Sequence, residues 1–187
     1  MANDTKKEYT DSQQSRAYAA YYGLWVGLCW IGSFALTMYG LKEPFAGNFG
    51  LLIGLCSLLL AIWLLRGFRE LVAPLPLRRA WHMAWMMFLC AALLCTAAQY
   101  IYFAYLDGGL LMRTYSELLQ QPEMQEMMAK MLPGQDATAI MEEALTQFAA
   151  TPPSQLAFQF LFWNVLLATF LAFPTALFSF SRPNANS

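Results

Sequence analysis

The stretch AWHMAWMMFLCAALLCTAAQYIYFAYL, residues 80–106, decides how the rest of the chain is read. It holds no Asp, Glu, Lys or Arg, and its single titratable imidazole, His82, stands at its beginning. At 1.5 Å per residue a helix over Ala80–Leu106 reaches about 40 Å, more than the ~30 Å hydrocarbon core of a bilayer requires. The run therefore reads as a transmembrane helix that tilts or protrudes. It leaves the membrane at Tyr100-Ile-Tyr-Phe-Ala-Tyr-Leu-Asp107 and passes into an acidic, methionine-rich excursion, 107–153, which turns back at Pro152-Pro153.

Working outward, the same logic applies to most of the chain. Of 187 residues, 58% are apolar and 12% charged, with a mean hydropathy of +0.40. A soluble domain carries roughly 25% charged residues, so this is a polytopic membrane protein of the all-α class. Residues 1–16 read as a polar tail, disordered at its beginning. Span one covers about 18–40 and is too long for a signal-peptide core, with no Ala-x-Ala site after it. Span two covers about 45–65, with Pro44 suited to an early helical position. A basic loop, 66–79, contains the stiff connector Leu71-Val-Ala-Pro-Leu-Pro-Leu77. Span three covers 80–106, with Gly108 placed to cap its end. Span four lies within 154–181, with Ser154 as its expected N-cap and a kink expected at Pro174. Residues 182–187 form a short tail.

Charge sets the expected orientation. Lys6, Lys7, Arg16, Arg66, Arg69, Arg78, Arg79 and Arg182 fall on one side of the four spans, and Lys42, Arg113 and Lys130 on the other. The positive-inside rule then puts both termini in the cytoplasm and 107–153 outside. A bacterial inner membrane is the expected location.

The excursion carries seven acids (Asp107, Glu117, Glu123, Glu126, Asp136, Glu142, Glu143) against Arg113 and Lys130. Its apolar residues recur at helical spacing: Leu111, Tyr115, Leu118 and Leu119, then Met124, Met127, Met128 and Met131, then Ile140, Ala144, Leu145 and Phe148. Pro133-Gly134 interrupts the run, and Asp136 can cap the next helix. This predicts two or three short amphipathic helices forming a hairpin that covers the bundle or lies on the interface. The methionine row is a candidate partner face. Thioethers also select Cu(I), but with no histidine or cysteine beside them the row reads as adaptable packing, and no metal or cofactor is expected.

The spans lack the ionisable groups that proton relays and coupling-ion sites need. No nucleophile and base can be assembled for catalysis, so no enzyme is expected. Cys29, Cys56, Cys90 and Cys95 all lie in apolar runs without metal-ligand spacing. Three amides remain, Gln99, Gln159 and Asn164. Gln99 and Asn164 should lie at similar depths, and a hydrogen bond between them satisfies both; a small polar pocket is the alternative. Gly23/Gly27 and Gly50/Gly54 match small-xxx-small spacing for close helix contact. By depth, Gly50 and Gly54 suit Ser33, Thr37 and Gly40 of span one. Gly23 and Gly27 suit span four near Thr175 and Ala176, or another chain. Arg66, Arg69, Arg78 and Arg79 read as topology anchors or an anionic-lipid site. Phosphate loops and nucleic-acid patches are absent.

Tyr22-Gly-Leu-Trp-Val-Gly-Leu28, Gly67-Phe-Arg-Glu-Leu71 and Tyr100 to Asp107, with the Met/Glu-rich insert before the last span, resemble the domain of unknown function 4199 family. Its members are small four-span membrane proteins, mainly of the Bacteroidota, and the resemblance covers roughly residues 17–181. It departs from the family at Val72–Leu77, where a glycine-rich, basic stretch is usual. The family carries no established activity, so the resemblance implies no catalytic residues. Members are often encoded near envelope glycosyltransferases, which implies an envelope-related membrane partner. The expectation is a non-enzymatic accessory or scaffold subunit in contact with the lipid bilayer and either a membrane protein partner or a second copy. A small oligomeric channel or lipid-handling protein is the alternative.

Overall fold

The apolar runs become four long helices in the computed structural model, which describes residues 2–72, 75–131 and 137–180. Side chains are described from residue 13 onward, apart from those at 44, 128, 129, 131, 137 and 138. The long helices are α1 (Ala2–Tyr39), α2 (Pro44–Val72), α3 (Leu77–Ile101) and α7 (Pro153–Ser179). Helix α3 is prolonged by a π turn, Tyr102–Leu106, and three short helices come after it: α4 (Leu110–Leu119), α5 (Pro122–Met131) and α6 (Ala137–Ala150). No strand occurs among the described residues. Four stretches are long and apolar enough to cross a membrane: Gln13–Tyr39, Phe45–Val72, Leu77–Leu106, which takes in the π turn, and Pro153–Ser179.

Several helix ends differ from the sequence-based expectation. Helix α1 starts at Ala2, so the polar tail, expected to be disordered at its beginning, is helical from Ala2 onward. Its Lys, Glu, Gln, Arg and Ala residues are good helix formers, and extending an existing helix avoids the cost of nucleation. Helix α2 runs on through the arginines to Val72, and α3 starts at Leu77, immediately after Pro76. Ser154 is not the cap of α7: Pro153 opens the helix after an extended Pro152, because the fixed φ of proline suits the first turn. The helix continues through Pro174. Two sequence expectations, the Pro133-Gly134 break and the Asp136 cap, lie outside the described residues.

Around the bundle the order is α2, α1, α3, α7, with α7 closing back onto α2. Lipid is as apolar as leucine, so spans associate by close packing rather than by hiding apolar area. Small residues line the contacts accordingly: Ala80, Ala84, Ala91 and Ala92 on α3, and Ala168, Ala172 and Ala176 on α7, are all buried. Larger side chains fill the axis, among them Val26, Leu65, Phe68, Met87 and Phe88. Trp30 stacks on Phe88 at 6.0 Å and donates its indole N–H to Ser57 at 3.0 Å. The outward faces carry Leu51, Leu55, Leu59 and Trp63 on α2, and Phe158, Phe162, Phe170 and Phe173 on α7, all exposed. Such continuous apolar cover suits contact with lipid chains.

Pairings fix two ends. At one, Tyr18 meets Phe68 at 5.2 Å, Arg79 donates to Ser15, and Arg69 reaches the carbonyl of Phe180. At the other, Gly40 abuts Gly47, Phe34 meets Tyr102, and Phe103 stacks on Phe160 at 5.4 Å. The first is the connector end and the second the insert end.

Candidate functional site

Glycine decides how α1 sits between its neighbours. A Cβ on Gly50 would come within 2.7 Å of the Thr37 hydroxyl and 2.8 Å of the Ser33 carbonyl, and one on Gly54 within 3.0 Å of the Ser33 hydroxyl. The Ser33 hydroxyl uses this closeness to donate to the Gly50 carbonyl at 2.7 Å. Gly23 and Gly27 do not face span four. They lie against α3, where a Cβ on Gly23 would fall 2.6 Å from Cys90 Cβ and from the Met87 carbonyl, and one on Gly27 3.2 Å from Ala91 Cα. The reason is the bundle order: α3, not α7, is the second neighbour of α1.

Above this packed region, toward the insert, α3 and α7 share a polar contact. The Asn164 amide donates to Gln99 Oε1 at 3.0 Å and to the Thr96 hydroxyl at 3.2 Å. Gln99 is 6% exposed, so its amide depends on this partner. Gln159 takes no part; it is exposed on the outer face of α7. Trp85 adds a second link between the same helices, donating to the Thr169 hydroxyl at 3.2 Å. Among the described residues no buried side-chain nitrogen or oxygen lacks a hydrogen-bond partner, so the buried amide of Gln99 is satisfied by this contact.

The insert leaves the bundle through a fixed junction. The Asp107 N–H bonds back to the Tyr102 carbonyl at 2.9 Å, the five-residue step of the π turn. Gly108 and Gly109 then take positive φ, +52° and +81°, which glycine adopts without strain. The Asp107 carboxylate accepts the N–H of Gly109 at 3.1 Å and of Leu111 at 3.2 Å, tying the glycine turn to the start of α4.

Beyond the junction, α4 and α5 both pack on α6, with Leu119 buried between Met124 and Leu145. Phe148 of α6 reaches back to Phe103 at 6.3 Å. The repeating apolar positions are only partly used. Met124 packs inward, but Met127 is 45% exposed, and the side chains of Met128 and Met131 lie outside the described residues. Tyr115, Ile140 and Met141 are likewise exposed, Ile140 by 49%. The row is therefore not one packing stripe. Among the described residues no three His, Cys, Asp or Glu side chains gather as a metal site.

At the connector end the four arginines do different things. The last carbonyls of a helix have no partners within it, and α2 supplies them for α7: Arg66 donates to the Phe178 carbonyl at 3.0 Å and Arg69 to that of Phe180 at 3.5 Å. Arg79 holds α1 through Ser15 at 2.9 Å, and Arg78 is exposed. Sequence reasoning missed the Trp30–Ser57 and Trp85–Thr169 bonds, since an indole or hydroxyl in a span carries no distinctive signal. It also missed that Arg16 and His82 share a cleft with Arg78.

Four apolar helices packed through small residues define a multi-pass membrane protein. The family described as protein of unknown function (DUF4199) matches residues 21–179, and the chain belongs to that family. No curated protein and no solved structure matches it.

Proposed function

We propose that the protein is a non-enzymatic accessory subunit that docks an envelope-related membrane protein through its insert, 107–153. The observation that carries this reading is the insert's exposed apolar surface. Tyr115, Met127, Ile140 and Met141 stay open although the three helices have a small core of their own, and the Asp107 junction holds them in place against the bundle. Exposed apolar side chains among acids fit a protein surface of matching shape and basic rim. The orientation belongs to the same proposal: both termini and the 66–79 connector are cytoplasmic, and the insert is outside a bacterial inner membrane. The axis filled by Val26, Leu65, Phe68 and Phe88 leaves little room for a pore through one chain.

Co-purification of the tagged full-length chain in mild detergent tests the proposal. A stoichiometric partner that is lost from Ile140→Gln/Met141→Gln but retained by Gly32→Ala supports docking. Recovery of the chain alone, or a partner indifferent to the insert, contradicts it. A lipid-handling role is the second reading, favoured by an apolar cleft of about 440 Å³ between α1 and the π turn, lined by Phe34, Met38, Ile101 and Leu106.

A further inference from the structure

A second cleft, of about 650 Å³, lies at the connector end between the start of the apolar part of α1 and the first turns of α3. Its wall carries Arg16 from α1 and Arg78 and His82 from α3, all three exposed. Arg79, held by Ser15, closes the α1 side. No acidic side chain is among the described residues that line it. Below the cations the lining turns apolar: Met83 is 2% exposed, and Trp81 is 42% exposed at the rim.

Depth identifies the ligand class. Two membrane-crossing stretches, Gln13–Tyr39 and Leu77–Leu106, begin at this cleft. It therefore sits where hydrocarbon gives way to headgroups, the level at which tryptophan collects. A guanidinium pair with an imidazole donor matches the oxygens of a phosphate, and the methionine floor matches a glycerol and the start of an acyl chain. Arg66 and Arg69 are engaged with the carbonyls of α7 and belong to a different contact. We infer that the Arg16–Arg78–His82 cleft binds a phosphate-bearing anion, supplied by the headgroup of an anionic phospholipid.

The test uses the full-length chain reconstituted in phosphatidylcholine nanodiscs with and without phosphatidylglycerol. Native mass spectrometry of the released protein counts retained lipids, and a parallel arm adds inorganic phosphate. Wild type should retain phosphatidylglycerol over phosphatidylcholine by about tenfold or more, given the attraction expected of two arginines at a membrane surface. Arg16→Gln/Arg78→Gln should abolish the preference, Arg78→Lys should keep most of it, and Arg66→Gln should leave it unchanged. Both arginines in the double variant are exposed, and circular dichroism with size-exclusion chromatography checks its fold. Inorganic phosphate that displaces phosphatidylglycerol supports phosphate as the recognised group. Phosphate bound without any lipid preference keeps the site but makes free phosphate its ligand. Equal retention of both lipids with no phosphate binding, or a preference that survives the double variant, overturns the inference.

Discussion

Asn164 of α7 donates a 3.0 Å hydrogen bond to Gln99 of α3, a residue sixty-five positions earlier in the chain. Away from water, neither amide has a cheap alternative, so each fixes the other's helix in rotation and depth. Replacing one partner strands the other. Asn164→Leu should lower stability by about 1–2 kcal/mol. Gln99→Leu/Asn164→Leu should cost less than the two single changes added together. Unfolding in mixed micelles measures the cycle, and strict additivity would show that the bond contributes nothing.

The glycines divide by what faces them. Gly23→Ala puts a methyl 2.6 Å from Cys90 Cβ and from the Met87 carbonyl, so α1 and α3 must separate. A loss of about 1–3 kcal/mol is expected. Nothing lies within 4 Å of a Cβ on Gly32. Gly32→Ala should therefore be neutral or gain up to about 1 kcal/mol from helix propensity. Thermal denaturation of both variants in one detergent decides the matter; equal melting temperatures would refute the packing assignment.

The junction of span and insert depends on Asp107 and on the positive φ of Gly109, +81°. Gly109→Ala forces a side chain into that conformation and should cost about 1 kcal/mol or more. Asp107→Ala removes the acceptor for the Gly109 and Leu111 amides. Hydrogen exchange at 108–112 should quicken in Asp107→Ala while exchange within α3 stays slow. Unchanged exchange at 108–112 would mean that the carboxylate does not hold the turn.

Much of this arrangement is legible in the residues, and the rest fails for identifiable reasons. Long uncharged runs mark the spans, since only a helix satisfies its backbone in lipid. Equal depth leads to the Gln99–Asn164 contact and to the seam of Gly50 and Gly54 with Ser33. Depth does not say which helices are neighbours, so it sets Gly23 and Gly27 against α7 when they face α3. Periodicity finds the insert helices, yet does not separate Met124, which packs, from Met127, which does not. Nor does spacing join Arg16 to Arg78 and His82, because the cleft exists only once α1 lies beside α3.

The proposed orientation is testable by labelling. With the four native cysteines replaced by alanine, Glu126→Cys in α5 and Gly67→Cys in α2 report opposite ends of the bundle. A membrane-impermeant maleimide applied to intact spheroplasts should label position 126 and spare 67 until the membrane is opened. The reverse pattern would invert the topology.

The measurement that bears most directly on the docking proposal is photo-crosslinking in living cells from Met127 and Ile140, with Leu55 on the lipid-facing side of α2 as the control position. The account predicts one discrete product from the two insert positions, absent from the control, and lost when Tyr115 and Met141 are made polar. Crosslinks from the insert only to lipid, or a product equally strong from Leu55, would contradict it.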